Sequence, residues 1–142
     1  MVLADPAADA LSPADEAILD NPAWSSLTGH HAHLAIGGDL VRRFPEDVSP
    51  FVGIRTFEDP AVWDAIIDLF GHGAEVGISH ADPVLPEGWT QSYRVPGVQL
   101  VQTSRLAARP AEEAVELGAS DSAEMLDLVE RTKPGPFRLR TH

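Results

Sequence analysis

Residues Ala114 to Phe137 read AVELGASDSAEMLDLVERTKPGPF, and the pattern of this stretch decides how the chain is organised. Val115, Leu117 and their neighbours predict a short strand, which Gly118 and Ala119 break. Asp121 is a suitable N-cap for a helix, because its carboxylate can accept a hydrogen bond from an amide of the first turn. Glu124 stands three residues on, where a capping box places a carboxylate. Met125, Leu126 and Val129 then recur at helical spacing, with Asp127 and Glu130 off that face. Pro134 stops the helix, and Pro134-Gly135-Pro136 forbids its resumption. The unit is a strand, a tight turn and a capped helix, and an ordinary β–α element satisfies this spacing without further function.

Working back from it, Arg105 to Pro110 reads as a linker, because alanine and proline replace apolar alternation there. Upstream, Trp89 to Arg94 and Val98 to Thr103 are expected as strands around a Pro96-Gly97 turn. Ala74 to Ser79 is expected as another, followed by the loop Asp82 to Gly88. Asp59-Pro60 opens the most strongly periodic helix, with Trp63, Ile66, Ile67 and Phe70 at i, i+3, i+4 and i+7 and Gly71 as its stop. Phe51 to Thr56 reads as a strand. Gly37-Gly38-Asp39 supplies the turn of a hairpin between a strand starting at His31 and one over Leu40 to Phe44. Ser12-Pro13 and Asn21-Pro22 each start a short helix, the first reaching about Leu19 and the second ending at Gly29. Residues 1 to 11, rich in Ala and Asp, are expected to fray.

The 142 residues suffice for one domain, or for a small domain with part of another. Their 44% hydrophobic content is enough for a real core. The net charge of −12, from 22 acids against 10 bases, argues against nucleic acid or an anionic membrane as partner, since phosphates would be repelled. The charge is uneven: no base precedes Arg42, and no acid follows Glu130, while Arg131, Lys133, Arg138 and Arg140 crowd the end. Such an end can attract an anion or serve as a solvated tail. With no cysteine, thiolate chemistry and disulfides are excluded. The N-terminus lacks the basic and apolar regions of a signal peptide, and no apolar run of membrane-spanning length exists, so a cytoplasmic location is expected.

His30, His31 and His33 form a cluster. On a strand, positions 31 and 33 share a face, but zinc needs further ligands, which His72, His80 or an Asp would have to supply. A polar strand face, or one packed against a neighbouring domain, is the preferred reading of the pair, and no metal site is expected. Gly71-His72-Gly73 with Gly77 runs from helix to strand, whereas a phosphate loop runs from strand to helix. Ser25 and Ser26 lie in no G-x-S-x-G elbow.

Leu117 to Phe137, with Arg140-Thr141 beyond, resembles the opening strand and first helix of the GNAT acetyltransferase superfamily, in its bacterial two-part members. DNPAWSSLTGHHAHLAIGGDLVRRFPEDVSPF (Asp20 to Phe51) is similar to the amino-terminal part of the same members. The resemblance implies an α+β chain: residues 1–109 as a small, mostly antiparallel sheet domain crossed by the Pro60–Phe70 helix, and residues 110–142 as the first strand and helix of an incomplete acetyltransferase core. It implies an N-acetyltransferase moving acetyl from acetyl-CoA to an amine on a small molecule or protein. It places Thr132, Lys133, Pro134, Gly135, Phe137 and Arg140 beside the acceptor-substrate cleft. The superfamily's pyrophosphate loop, Q/R-x-x-G-x-G/A, has no counterpart. Its nearest approach, Arg94 to Gln99, has Gln99 where a small residue is required, and Pro96 lacks an amide donor. No catalytic residue is assigned, since Tyr93 lies upstream of the matching core and no carboxylate among Glu112, Glu113 and Glu116 is singled out. The chain alone is then expected to be inactive and not to bind acetyl-CoA, and to self-associate or take a partner that completes its sheet. The alternative is a non-enzymatic interaction or regulatory module.

Overall fold

A computed structural model of the chain describes residues 10–79, 83–103, 106–107 and 109–141. The expectations for residues 1–9, His80, Asp82 and Arg105 lie outside them. The fold is α+β: a small, open, mixed four-stranded sheet with several helices.

The first helix, α1 (Pro13–Asp20), begins as its sequence requires. Pro13 occupies the first turn, and Ser12 Oγ accepts the Asp15 amide at 3.2 Å. Helix α2 (Pro22–Thr28) follows at once. Asn21 does not cap it; its Nδ2 instead donates to the Ile54 carbonyl at 2.7 Å, tying the helix to the sheet. The expected strand from His31 is overturned for most of its length. Residues Ala32–Leu34 form a 3₁₀ turn, because the amides of Leu34 and Ala35 donate to the His31 and Ala32 carbonyls and leave no ladder to build.

Strand β1 (Ile36–Gly37) turns through Gly38-Asp39 into β2 (Val41–Arg43), which pairs with β3 (Phe51–Ile54); both pairings are antiparallel. Helix α3 (Ala61–Phe70) then crosses to β4 (Gly77–Ile78), which runs parallel to β3. A helix interposed between neighbouring strands carries the chain back to its starting end, so the third pairing is parallel. Asp59 Oδ1 accepts the Ala61 amide at 3.0 Å at the start of α3, and Gly71, at φ +85°, ends it as expected.

The core lies between α3 and the sheet: Val62, Trp63 and Ile66 are buried against Val41, Val52 and Ile54. Trp89 closes its rim, with ring centroids 4.9 Å from Trp63, and Phe57 lies 5.6 Å from Trp63 on another side. Trp89 therefore serves as a core residue rather than as the start of a strand. The stretches Trp89–Arg94, Val98–Thr103 and Val115–Leu117 carry no strand, and none of them has a neighbouring strand with which to share a ladder.

The carboxy-terminal helix also departs from expectation. Asp121 reaches backward: its carboxylate accepts the Gly118 amide at 2.8 Å, and its own amide donates to the Gly118 carbonyl at 2.9 Å. This makes a 3₁₀ turn over Ala119–Asp121; α4 (Ser122–Thr132) follows with Asp121 at its N-cap position, as expected, but without a side-chain cap. Met125, Leu126 and Val129 are half-buried, whereas Val115, Leu117 and Leu128 are exposed.

The opposite face of the sheet is set by Gly53. A Cβ there would lie 2.8 Å from both Cα and N of Trp24, in the first turn of α2. We expect Gly53→Ala to destabilise the protein by about 1–3 kcal/mol, the usual cost of overpacking. Gly38→Ala, where a Cβ meets nothing within 4 Å, should change stability little. Thermal denaturation of the two variants in parallel checks the contrast.

Candidate functional site

The residues between α4 and the last described position are held by polar contacts that the chain makes with itself. Lys133 adopts the left-handed conformation (φ 47°, ψ 49°), and its amide donates to the Val129 carbonyl at 2.7 Å. Thr132 Oγ1 donates back to the Leu128 carbonyl at 2.7 Å. Past Pro134-Gly135, Phe137 is half-buried. Residues 138–141 then form a turn, in which the Arg138 amide donates to Thr141 Oγ1 at 2.8 Å.

That turn is fastened to the loop between β2 and β3. The Arg140 amide donates to the Asp47 carbonyl at 2.8 Å, and its Nη1 pairs with Asp47 Oδ2 at 3.1 Å. Thr141 Oγ1 donates to the Val48 carbonyl at 2.7 Å. Of the six residues expected beside a substrate cleft, Arg140 thus acts as a tether and Thr132 satisfies its own helix. Arg131 is paired with Asp127 at 3.3 Å. Lys133 and Arg138 have no carboxylate partner among the described residues. The basic end is therefore half neutralised by the protein itself.

Two clefts of about 340 Å³ lie elsewhere. One runs between the β1–β2 turn and α3, floored by Leu40, Val41, Ala65 and Leu69, with Asp39 and Asp68 on its rim. The other lies between the end of α3 and Trp89, where Ser92 Oγ donates to Glu75 at 2.7 Å beside His72. Gly71-His72-Gly73, read from the sequence as running from helix to strand with Gly71 as the stop, also forms one wall of this second cleft. Neither cleft is lined by any of the residues from Thr132 to Arg140. Sequence reasoning missed both, because their walls come from segments far apart in the chain.

The histidines do not share a strand face. His31 Nδ1 and Ser26 Oγ lie 2.7 Å apart in a hydrogen bond across the end of α2. The His31 ring meets Phe44 edge-on at 6.4 Å and lies 6.3 Å from the His33 ring. Among the described residues no group of three or more His, Asp or Glu is placed to hold a metal. Arg42 is the other fixed polar residue here. Its Nη1 donates to the Leu27 carbonyl and its Nε to the Gly38 carbonyl, each at 3.1 Å, and its guanidinium lies 5.3 Å from the Trp24 ring centroid.

Among the described residues no helix N-terminus offers a free cradle for the pyrophosphate of acetyl-CoA. An anion cradle needs free backbone amides at a helix N-terminus. Helix α1 opens with Ser12 bonded in place and with Asp15 and Glu16 in its first turn. At α3 the Ala61 amide is already taken by Asp59 and Asp64 follows; α4 opens on Asp121 and Glu124. Helix α2 has no acid in its first turn, but that turn is packed against Gly53. Residues 94–99 lead into no helix. Comparison with protein-family models, with curated proteins and with solved structures finds no significant match to this chain.

Two outcomes follow from this geometry. Chelator should leave the melting temperature unchanged, and zinc should not raise it, since among the described residues no group of three ligands includes His31 and His33. The Arg140–Asp47 pair is about half exposed on both sides. A double-mutant cycle through Arg140→Ala and Asp47→Ala should therefore give a coupling of about 1 kcal/mol or less, falling with added salt.

Proposed function

We propose that the chain is the amino-terminal portion of a GNAT-type N-acetyltransferase, inactive alone, whose acetyl-CoA site is built by further polypeptide. The observation that carries the reading is the likeness of Leu117 to Phe137, supported by the element those residues form. Helix α4 stops where the likeness requires, at a left-handed Lys133 followed by Pro134-Gly135-Pro136. Beside it Val115 and Leu117 are 78% and 54% exposed, as residues awaiting a covering sheet would be. Acetyl-CoA and an amine acceptor, on a small molecule or a protein, are the ligands of the completed enzyme in this reading, and the cytoplasm is its location. No described helix is long and apolar enough to cross a membrane.

A second reading, a non-enzymatic interaction module, draws on one specific observation. The turn 138–141 comes back onto Asp47 and Val48, so this segment is fastened to the described body rather than left free.

Two measurements test these readings, and the second separates them. Calorimetric titration of the 142-residue protein with acetyl-CoA should show no micromolar binding; micromolar binding competed by free coenzyme A would overturn the assignment of the cofactor site to other polypeptide. The DNA downstream of the His142 codon should encode Q/R-x-x-G-x-G/A in one of its frames, and a polypeptide extended through it should bind acetyl-CoA. A downstream sequence without that motif, or an extended polypeptide that ignores the cofactor, favours the module.

A further inference from the structure

The cleft between the end of α3 and Trp89 brings one fixed charge beside one fixed ring. Glu75 and Ser92 stand 17 positions apart in sequence and meet there, Ser92 Oγ donating to Glu75 Oε1 at 2.7 Å. That bond holds the carboxylate in place without neutralising it, and among the described residues no base pairs with Glu75. The Trp89 indole lines the same cleft and is backed by Trp63 of the core, their ring centroids 4.9 Å apart. Ile67 adds apolar surface, and His72 and Thr90 add polar groups. No Lys or Arg is among the lining residues, and Glu75 is their only carboxylate. At about 340 Å³ the cleft has the size of a small-ligand site.

We propose that this cleft binds a guanidinium group, stacked on Trp89 and paired with Glu75. Three observations select that chemistry. The first is sign. A carboxylate with no base beside it, in a chain of net charge −12, attracts a cation. The second is the pairing of that carboxylate with an indole. A guanidinium is planar and weakly hydrated; it offers parallel N–H donors to a carboxylate edge and a flat face to an aromatic ring. An ammonium is a strongly hydrated point charge with no such face. The chain already makes this kind of contact once, where the Arg42 guanidinium lies 5.3 Å from the Trp24 ring centroid. The third is the contrast with the other cleft. It too has carboxylates, Asp39 and Asp68, but no aromatic wall, and Asp39 already faces Arg42 at 3.9 Å. Charge is common to the two clefts, and the ring is what distinguishes this one.

The inference does not rest on the acetyltransferase reading, because no residue beyond Ser92 lines the cleft. A free guanidino compound and an arginine side chain of a polypeptide share the head group, so the test uses one probe of each kind. Butylguanidinium and Nα-acetyl-L-argininamide, each of one positive charge, are titrated into the ¹⁵N-labelled 142-residue protein, and the tryptophan indole N–H resonances are followed. Both probes should move the Trp89 resonance saturably, with half-saturation at about 1–10 mM, and leave that of Trp24 in place. The neutral isostere Nα-acetyl-L-citrullinamide, and Nα-acetyl-L-lysinamide, which is charged but lacks the planar head, should each bind about fivefold more weakly than the argininamide. Glu75→Gln keeps an acceptor for Ser92 and removes the charge; it should weaken both guanidinium probes about fivefold. The Glu75 side chain is exposed, so the melting temperature should not change. Asp39→Asn removes the same charge from the other cleft and should leave both affinities unaltered. Equal affinity of the two probes assigns recognition to the head group alone, and a tighter argininamide assigns it to an arginine within a polypeptide. No saturable shift at Trp89, a citrulline or lysine analogue that binds as well as the argininamide, a Glu75→Gln variant that binds like wild type, or equal weakening by Asp39→Asn would each overturn the proposal.

Discussion

Strand β3 is gripped from both faces, and the rest of the described fold depends on that grip. Val52 and Ile54 point into the core against α3, while Gly53 between them has the first turn of α2 pressed onto its backbone. Alternation along a strand makes the two contacts compatible. The absence of a side chain at Gly53 makes the second possible. Once α2 lies this close, Asn21 reaches the Ile54 carbonyl, and Arg42 reaches the Leu27 carbonyl from the neighbouring strand. A single residue with no side chain thereby joins the amino-terminal helices to the sheet.

Where the sequence was legible, one local signal sufficed. The Trp63, Ile66, Ile67 and Phe70 spacing marks α3, Gly71 stops it, and Ser12-Pro13 starts α1, because each is decided within a turn or two of helix. The misreadings share a cause. At His31–His33 the apolar alternation suits a strand, but the local carbonyls and Ser26 offer the chain its hydrogen bonds first. Asp121 has the chemistry of a cap, yet its carboxylate is spent on Gly118 behind it. The strands expected at 89–94 and 98–103 have the right composition without a partner, and pairing is not a property that one segment carries. The candidate site was less legible still. Neither cleft is written in any local motif, and the contact of Arg140 with Asp47 spans 93 positions.

Beyond Ile78 the character of the structure changes. Among the described residues Trp89 is the last to pack on the core; after it the ties to the body include the Ser92–Glu75 and Gln99–Leu19 bonds and the turn 138–141 on its loop, and Ser122 is buried.

It follows that the carboxy-terminal half carries apolar residues whose burial the described chain does not itself provide. The two uncovered surfaces ask for different things. Val115 and Leu117 adjoin α4, whose inner side chains are already half-buried, so what covers them must extend a structure that has begun to form. Val98 and Leu100 are exposed on either side of Gln99, which is tied to the end of α1, so what covers them meets a segment already fastened to the body. Because the second surface is anchored to α1 and the first to the end of the chain, each can be covered without the other. The core around β3 touches neither, so its stability should be indifferent to which of them is filled.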